Sequence, residues 1–208
     1  MNNFILRIFS SIFLLPITLY IIFLNNFFFQ IFLLIVFAIS IYELRFAIKS
    51  YLFLVVFFLL VFFIISFYKL RGSTLDDFYF LLWFLFIVWL SDIGGYVVGK
   101  FFKGPKLSKW SPNKTISGFF GSIIFSQFAF CAFLLSKVQF KYSISIIFIQ
   151  FFFSIISILG VLFFSYLKRV FKIKDFSNII PGHGGLLDRI DGLIFVIICA
   201  YIFKYLYE

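Results

Sequence analysis

Along the chain, long apolar runs alternate with short polar breaks, and most runs match the ~20 residues that a helix needs to cross a bilayer. They predict seven helices, roughly 4–24, 27–44, 51–69, 78–99, 116–136, 142–167 and 190–207. Asn25-Asn26 is the sole turn signal between the first two, which predicts a helical hairpin there. The last run opens inside a polar motif. The first run superficially resembles a signal sequence. It is too long for a typical apolar signal core, lacks a small-x-small cleavage pattern and leads straight into another apolar run, so a retained span is expected. The predicted fold class is all-α, a polytopic membrane helical bundle.

Composition agrees: 64% of residues are hydrophobic and 12% charged, and mean hydropathy is +1.16. The spans consume most of the 208 residues and leave no room for a separate soluble domain. One continuous membrane domain is expected, with helices of low information over 1–77 and the chemistry over 78–208. The 39 phenylalanines are more simply explained by AT-biased codons than by function. Cys131 and Cys199 fall within spans and read as apolar fillers. No P-loop occurs, and the basic residues flank spans rather than forming a basic–aromatic pattern on a soluble surface, which argues against nucleic acid as a partner.

Charge sets the orientation. With the amino terminus cytoplasmic, that side holds Arg7, Arg45, Lys49, Lys100, Lys103, Lys106, Lys109, Lys114, Lys168, Arg169, Lys172, Lys174 and Arg189. The other side holds only Lys69, Arg71, Lys137, Lys141 and Lys204, so the positive-inside rule favours this arrangement. The two most polar loops, after the fourth and sixth runs, then share the cytoplasmic face. These cations could simply grip anionic lipid, but that does not explain why they sit beside aspartates and glycines at fixed spacings.

The densest polar block is Ser165–Asp191, which holds five basic residues, three aspartates and the sole histidine. Asp188 and Asp191 are three apart and share a face if Arg189 lies in a helix. Paired carboxylates suit magnesium, which takes one or two of them and completes its shell with water and phosphates. They could equally cap the last helix and pair with Arg189. The preceding Gly182-His183-Gly184-Gly185 turn could bring backbone N–H groups up to a phosphate, and His183 is either a hydrogen-bonding structural residue or a substrate contact. Lys168, Arg169, Lys172 and Lys174 continue the phosphate theme, some of them as interfacial anchors.

A second constellation runs from Ser91 to Gly121. Asp92 lies about 10 Å inside the cytoplasmic end of the fourth run, and an intramembrane carboxylate is a functional candidate. Ser91, Gly95 and Gly99 recur every fourth residue, a small-residue face on which another helix can pack. Ser111-Pro-Asn-Lys114-Thr115 opens the fifth run with hydroxyls, an ammonium and free N–H groups, which favours anions, although an ordinary capped helix would look the same.

Together the two blocks resemble the bacterial phosphatidate cytidylyltransferase (CDP-diglyceride synthase) family. Ser165–Asp191 matches that family's signature S-x-x-K-R-x4-K-D-x-S-x2-I-P-x-H-G-G-x2-D-R-x-D throughout. Asp92-x2-Gly95-Tyr96-x2-Gly99-Lys100 and Ser111-Pro-Asn-Lys-Thr also look like the family's, so the resemblance covers residues 89–192. It implies that phosphatidate attacks the α-phosphorus of CTP, giving CDP-diacylglycerol and pyrophosphate, with magnesium required and a second metal ion left open. It places Asp188, Asp191, Lys168, Arg169 and His183 in the catalytic set, and Asp188 and Asp191 on the metal, with Asp92 as a further metal or polarising group. Lys114, Lys168, Arg169 and Arg189 would hold phosphates, and Ser111, Thr115 and Ser165 would hydrogen-bond substrate. Lys174, Gly184 and Gly185 join them as substrate contacts. A homodimer in the bacterial inner membrane, its site facing the cytoplasm, is implied as well.

Three positions depart from the family pattern. Gly160-Val161-Leu162 stands where Gly-Asp-Leu is usual, Phe164 replaces a commonly acidic residue, and Ser117 occupies a frequent Glu position. The loss of a carboxylate at 161 bears on the metal and keeps open a non-catalytic scaffold derived from the enzyme. A CTP-dependent lipid kinase is the rival among enzymes.

Overall fold

The computed structural model describes residues 16–24, 26–47, 50–112, 114–130, 146–180 and 184–207, and among these the regular structure is helical apart from two isolated β-bridges. Helix α1 is described over 16–23; α2 (Asn26–Glu43) runs into a 3₁₀ turn (Leu44–Ala47). Then follow α3 (Tyr51–Arg71), α4 (Leu75–Phe102), α5 (Ile116–Ser126), α6 (Ile146–Val170) and α7 (Leu187–Tyr207). Four of them, α2, α3, α4 and α6, are long and apolar enough to cross a membrane. The chain is a membrane protein with several apolar helices.

Local chemistry sets the helix ends. Ser50 caps α3 by accepting the Leu52 N–H at 3.3 Å. Thr74 and Asp77 form a reciprocal capping box that starts α4 three residues earlier than the apolar pattern alone predicts. The fifth expected span, 116–136, is interrupted: α5 stops at Ser126, and 131–145 lie outside the described residues. Near its end Ser126 Oγ and Gln127 Nε2 both donate to the Ile123 carbonyl, at 2.7 and 3.2 Å, and the next N–H groups tighten to i−3 carbonyls. Gln150 of α6 packs against this break and ties it to α4. With its amide oxygen turned toward the donors, it accepts from Trp83 Nε1 at 3.0 Å and Phe130 N–H at 2.7 Å, and donates to Gln127 Oε1 at 3.2 Å.

The aromatic core sits where α4, α6 and α7 meet: Phe84 and Phe153 pack edge to face at 4.5 Å, and Phe153 meets Phe203 at 6.0 Å. α2 packs on α3 through Phe29 and Phe67, 5.5 Å apart. The small-residue face of α4 divides between two neighbours. Gly95 and Gly99 press on α5, whereas Ser91 turns to α6 and shares a hydrogen bond with Ser154 at 3.3 Å.

Alternating chain direction sorts the helix ends into two groups. At one end, Arg71 of α3 donates to the Ile22 and Leu24 carbonyls at 3.1 and 2.6 Å and to Asn26 Oδ1 at 3.0 Å, which ties the α1–α2 turn to the α3–α4 turn. Lys204 of α7 pairs with Asp77 at the same end. The opposite end gathers the C-termini of α2, α4 and α6, the N-termini of α3, α5 and α7, and both polar loops.

The closeness of α4 and α5 makes Gly118 a test. A Cβ there would lie 2.7 Å from the Gly95 carbonyl oxygen, so the helices must separate to admit it. Gly118→Ala is expected to cost about 1–3 kcal/mol, read as a lower melting temperature in detergent. An unchanged melting temperature would sink this packing.

Candidate active site

Four segments meet at the polar end: α4 with Asp92, the 103–115 loop with Lys114, the C-terminus of α6 with Lys168 and Arg169, and the first turns of α7 with Asp188, Arg189 and Asp191. Arg189 lies within α7, so Asp188 and Asp191 do project from one helix. Their surroundings differ. Asp188 Oδ1 accepts from Lys168 Nζ at 2.7 Å, and its Oδ2 accepts the N–H groups of Phe176 at 3.0 Å and Gly185 at 3.1 Å. Both side chains of that pair are largely enclosed, at 14% and 4% exposure. Asp188 therefore clasps α6, the 171–186 loop and the entrance to its own helix.

Asp191 is buried, and its Oδ1 accepts the Gly192 N–H at 2.8 Å. Its carboxylate feels repulsion from Asp92 and attraction from Lys114 and Lys168. Asp92 in turn feels Lys114 and Arg189. These five groups come from four separate stretches of chain that meet at one end of the bundle.

The 103–115 loop is held firmly. Leu107 N–H donates to the Lys114 carbonyl at 2.8 Å, Lys114 N–H to the Ser111 carbonyl at 3.1 Å, and Ile116 N–H to the Pro105 carbonyl at 3.0 Å. Thr115, expected to touch substrate, caps α5 by accepting the Gly118 N–H at 3.1 Å and shares a hydrogen bond with Ser117 at 2.9 Å. Ser117 also donates to the Lys103 carbonyl, the task its hydroxyl performs in the place of the family's frequent Glu. Arg169 Nε donates to the Trp110 carbonyl at 3.1 Å, and Trp110 meets Tyr166 edge to face at 5.2 Å, which docks this loop on α6. Ser165 is buried on α6, and Lys174 is exposed at the rim of a cavity of about 590 Å³ also lined by Tyr42, Arg45, Asp175 and Ser177.

The glycine turn is closed by the protein's own acceptors. His183, with Pro181 and Gly182, lies outside the described residues. Gly184 takes φ 91°, a left-handed conformation suited to glycine, and exchanges two backbone hydrogen bonds with Ile180 at 2.9 and 3.1 Å. Gly185 N–H goes to Asp188, and the Leu186 and Leu187 N–H groups go to Glu43 at 2.7 and 2.8 Å. The described N–H groups expected to cradle a phosphate are thus already donated to a carbonyl and two carboxylates. Sequence reasoning missed Glu43 and Ser177. The available signal was that Glu43 is the only acid before residue 76, at the end of an apolar run.

The donor set bears on a metal ion. Among the described residues no group of three His, Cys, Asp or Glu side chains gathers as a metal site. Asp188, expected as a ligand, has its oxygens committed to Lys168 and two N–H groups. What remains is the Asp92–Asp191 pair, with the buried and unpartnered Ser157 hydroxyl close to Gly192. Two carboxylates fit magnesium that keeps several waters and phosphate oxygens. Val161 also faces Gly192, whose missing Cβ would lie 3.2 Å from Val161 Cγ2. The departure from the family pattern at 161 therefore sits next to Asp191.

Comparison with known proteins places the chain in a family. The family model described as cytidylyltransferase family matches residues 45–207. One segment is 41% identical over 117 residues to phosphatidate cytidylyltransferase from Bacillus subtilis (strain 168), covering 55% of this chain and 43% of that protein. Similarity to proteins of the same name is 43% over 115 residues in Staphylococcus aureus (strain COL), covering 53% of this chain and 43% of the relative. In Aquifex aeolicus (strain VF5) it is 35% over 122 residues, covering 55% and 45%. The chain thus covers less than half the length of these relatives.

Two substitutions probe the site. Lys168→Met strands the enclosed Asp188 without its cation and is expected to cost about 3 kcal/mol, measurable by thermal unfolding in detergent. Val161→Asp adds a carboxylate beside Asp191, and magnesium binding followed by calorimetry should tighten about tenfold or more. Unchanged affinity would show that another group already serves there.

Proposed function

Because the chain belongs to the cytidylyltransferase family, we propose that it transfers a cytidylyl group from CTP to phosphatidate, forming CDP-diacylglycerol and pyrophosphate. The observation that carries this reading is that both polar loops meet at one end of the bundle: Lys168 pairs with Asp188 at 2.7 Å, and Arg169 docks the 103–115 loop through the Trp110 carbonyl at 3.1 Å, beside Asp92 and Asp191. A basic mouth beside paired carboxylates suits a reaction between two phosphorylated substrates.

In the proposed reaction a phosphate oxygen of phosphatidate attacks the α-phosphorus of CTP. The bond from that phosphorus to the bridging oxygen breaks, and the electron pair leaves on pyrophosphate. No protein nucleophile is needed, so the work is positioning and charge neutralisation. Asp92 and Asp191 would hold magnesium, which when bound offsets triphosphate charge and polarises the α-phosphoryl group. Lys114, Arg169 and Arg189 would steady phosphate oxygens, with Lys174 at the rim of a neighbouring cavity of about 590 Å³. Lys168 pairs with Asp188 at 2.7 Å and holds it in place. His183 is assigned to a substrate contact on the family signature.

The same reading puts the two polar loops in the cytoplasm of a bacterium, which follows from the excess of Lys and Arg on that end. It includes an amino terminus on the cytoplasmic side, seven crossings and pairing with a second copy of the chain.

Labelled CTP tests the activity on purified protein in detergent with phosphatidate, with and without magnesium. Label from the α-position entering lipid is expected. Entry of γ-label would mean a lipid kinase, and entry of neither a scaffold. Asp191→Asn is expected to lower product formation by about 100-fold or more while membrane insertion is unchanged, and equal rates would remove Asp191 from the machinery.

A further inference from the structure

We propose that Glu43 is a positioning residue of this site: from the end of α2 it sets the backbone at 185–187, and through it the α7 carboxylates. The inference rests on the reading of the site as a cytidylyltransferase centre. Glu43 lies outside the matched family segment, which begins at residue 45.

Its side chain is wholly buried, at 0% exposure. One oxygen accepts the Ser177 hydroxyl at 2.5 Å and the Leu186 N–H at 2.7 Å, and the other accepts the Leu187 N–H at 2.8 Å. A buried carboxylate is retained only where donors of this quality meet it. The first N–H groups of a helix have no partner within it, and here an element far upstream satisfies two of them. The Glu43 charge also lies at the positive end of the α7 dipole.

Glu43 reaches Asp188 by two short routes. Gly185 sits between the carboxylates: a Cβ there would lie 2.9 Å from Asp188 Oδ2 and 3.0 Å from each Glu43 oxygen. Ser177, which donates to Glu43, directly follows Phe176, whose N–H holds Asp188 at 3.0 Å. A shift of Glu43 therefore moves both backbone donors that orient Asp188, together with the helix start that carries Asp191. The apolar amino-terminal helices thereby contribute to the geometry of the site as well as to anchoring it.

Glu43→Gln keeps the size but places an amide N–H₂ among donors. In the full chain in detergent, it is expected to lower kcat about 10–100-fold and to raise the magnesium concentration for half-maximal rate, while KM for phosphatidate is unchanged. Hydrogen exchange at the 185–187 amides should quicken. Glu43→Asp should restore part of kcat, and Ser177→Ala, which removes one donor only, should shift the same quantities less. A Glu43→Gln protein with wild-type kcat and magnesium requirement overturns the proposal, as does a loss of kcat with exchange at 185–187 unchanged. If Glu43→Gln does not fold, Ser177→Ala decides by the same readouts. Should wild-type protein form no CTP-dependent product, the functional reading fails. Magnesium binding and amide exchange in the two variants then decide Glu43 alone.

Discussion

An ionised carboxylate inside an apolar bundle has to be neutralised and hydrogen-bonded where it stands, and Asp188 meets that requirement with Lys168 at 2.7 Å and two backbone N–H groups. The arrangement of the polar end follows from it. Lys168 can reach only if α6 ends beside the start of α7, and the two N–H groups only if the 171–186 loop folds back over that junction. Glu43 makes the same demand from the other side, taking three donors from the same loop and helix. Asp188 and Glu43 are each enclosed by partners from a different stretch of chain.

The same economy governs the rest of the bundle. Gln150 supplies the backbone where α5 ends, Arg71 supplies the carbonyls at the end of α1, and Ser91 and Ser154 satisfy each other. These polar side chains among the phenylalanines pin one element to another, which apolar contact alone does weakly in lipid. Rigidity at the polar end is what a transfer between two anionic substrates needs, because its barrier falls through placement and charge rather than through a protein nucleophile.

The site is chemically divided. Asp188, Glu43, Thr115 and the described part of the glycine turn are occupied with holding the protein together. Asp92 lies within electrostatic reach of Lys114, Arg189 and Asp191 at the same end of the bundle. Within one signature, Asp188 pairs with Lys168, whereas Asp191, one turn on, is buried and accepts the Gly192 N–H. Val161 shows how near the division runs, since a carboxylate there would adjoin Asp191 through Gly192.

Apolar run lengths anticipated the four long apolar helices, because a membrane crossing demands about 20 apolar residues whatever they pack against. The break at Ser126 escaped that logic, since it depends on hydroxyl and amide competition for carbonyls and on Gln150 arriving from another helix. Spacing likewise predicted that Asp188 and Asp191 share a helix, a matter of local periodicity. Whether each binds a lysine, an N–H group or an opposing carboxylate depends on which segments lie across from it. Glu43 is the clearest case: its partners at 177, 186 and 187 are more than a hundred residues away in the chain, so only the folded bundle could reveal them. The sequence by itself determined the membrane helices, the charge asymmetry of the loops and the family. The tertiary structure decided which charged groups pair with which partners, because pairing in an apolar medium is settled by distance through space.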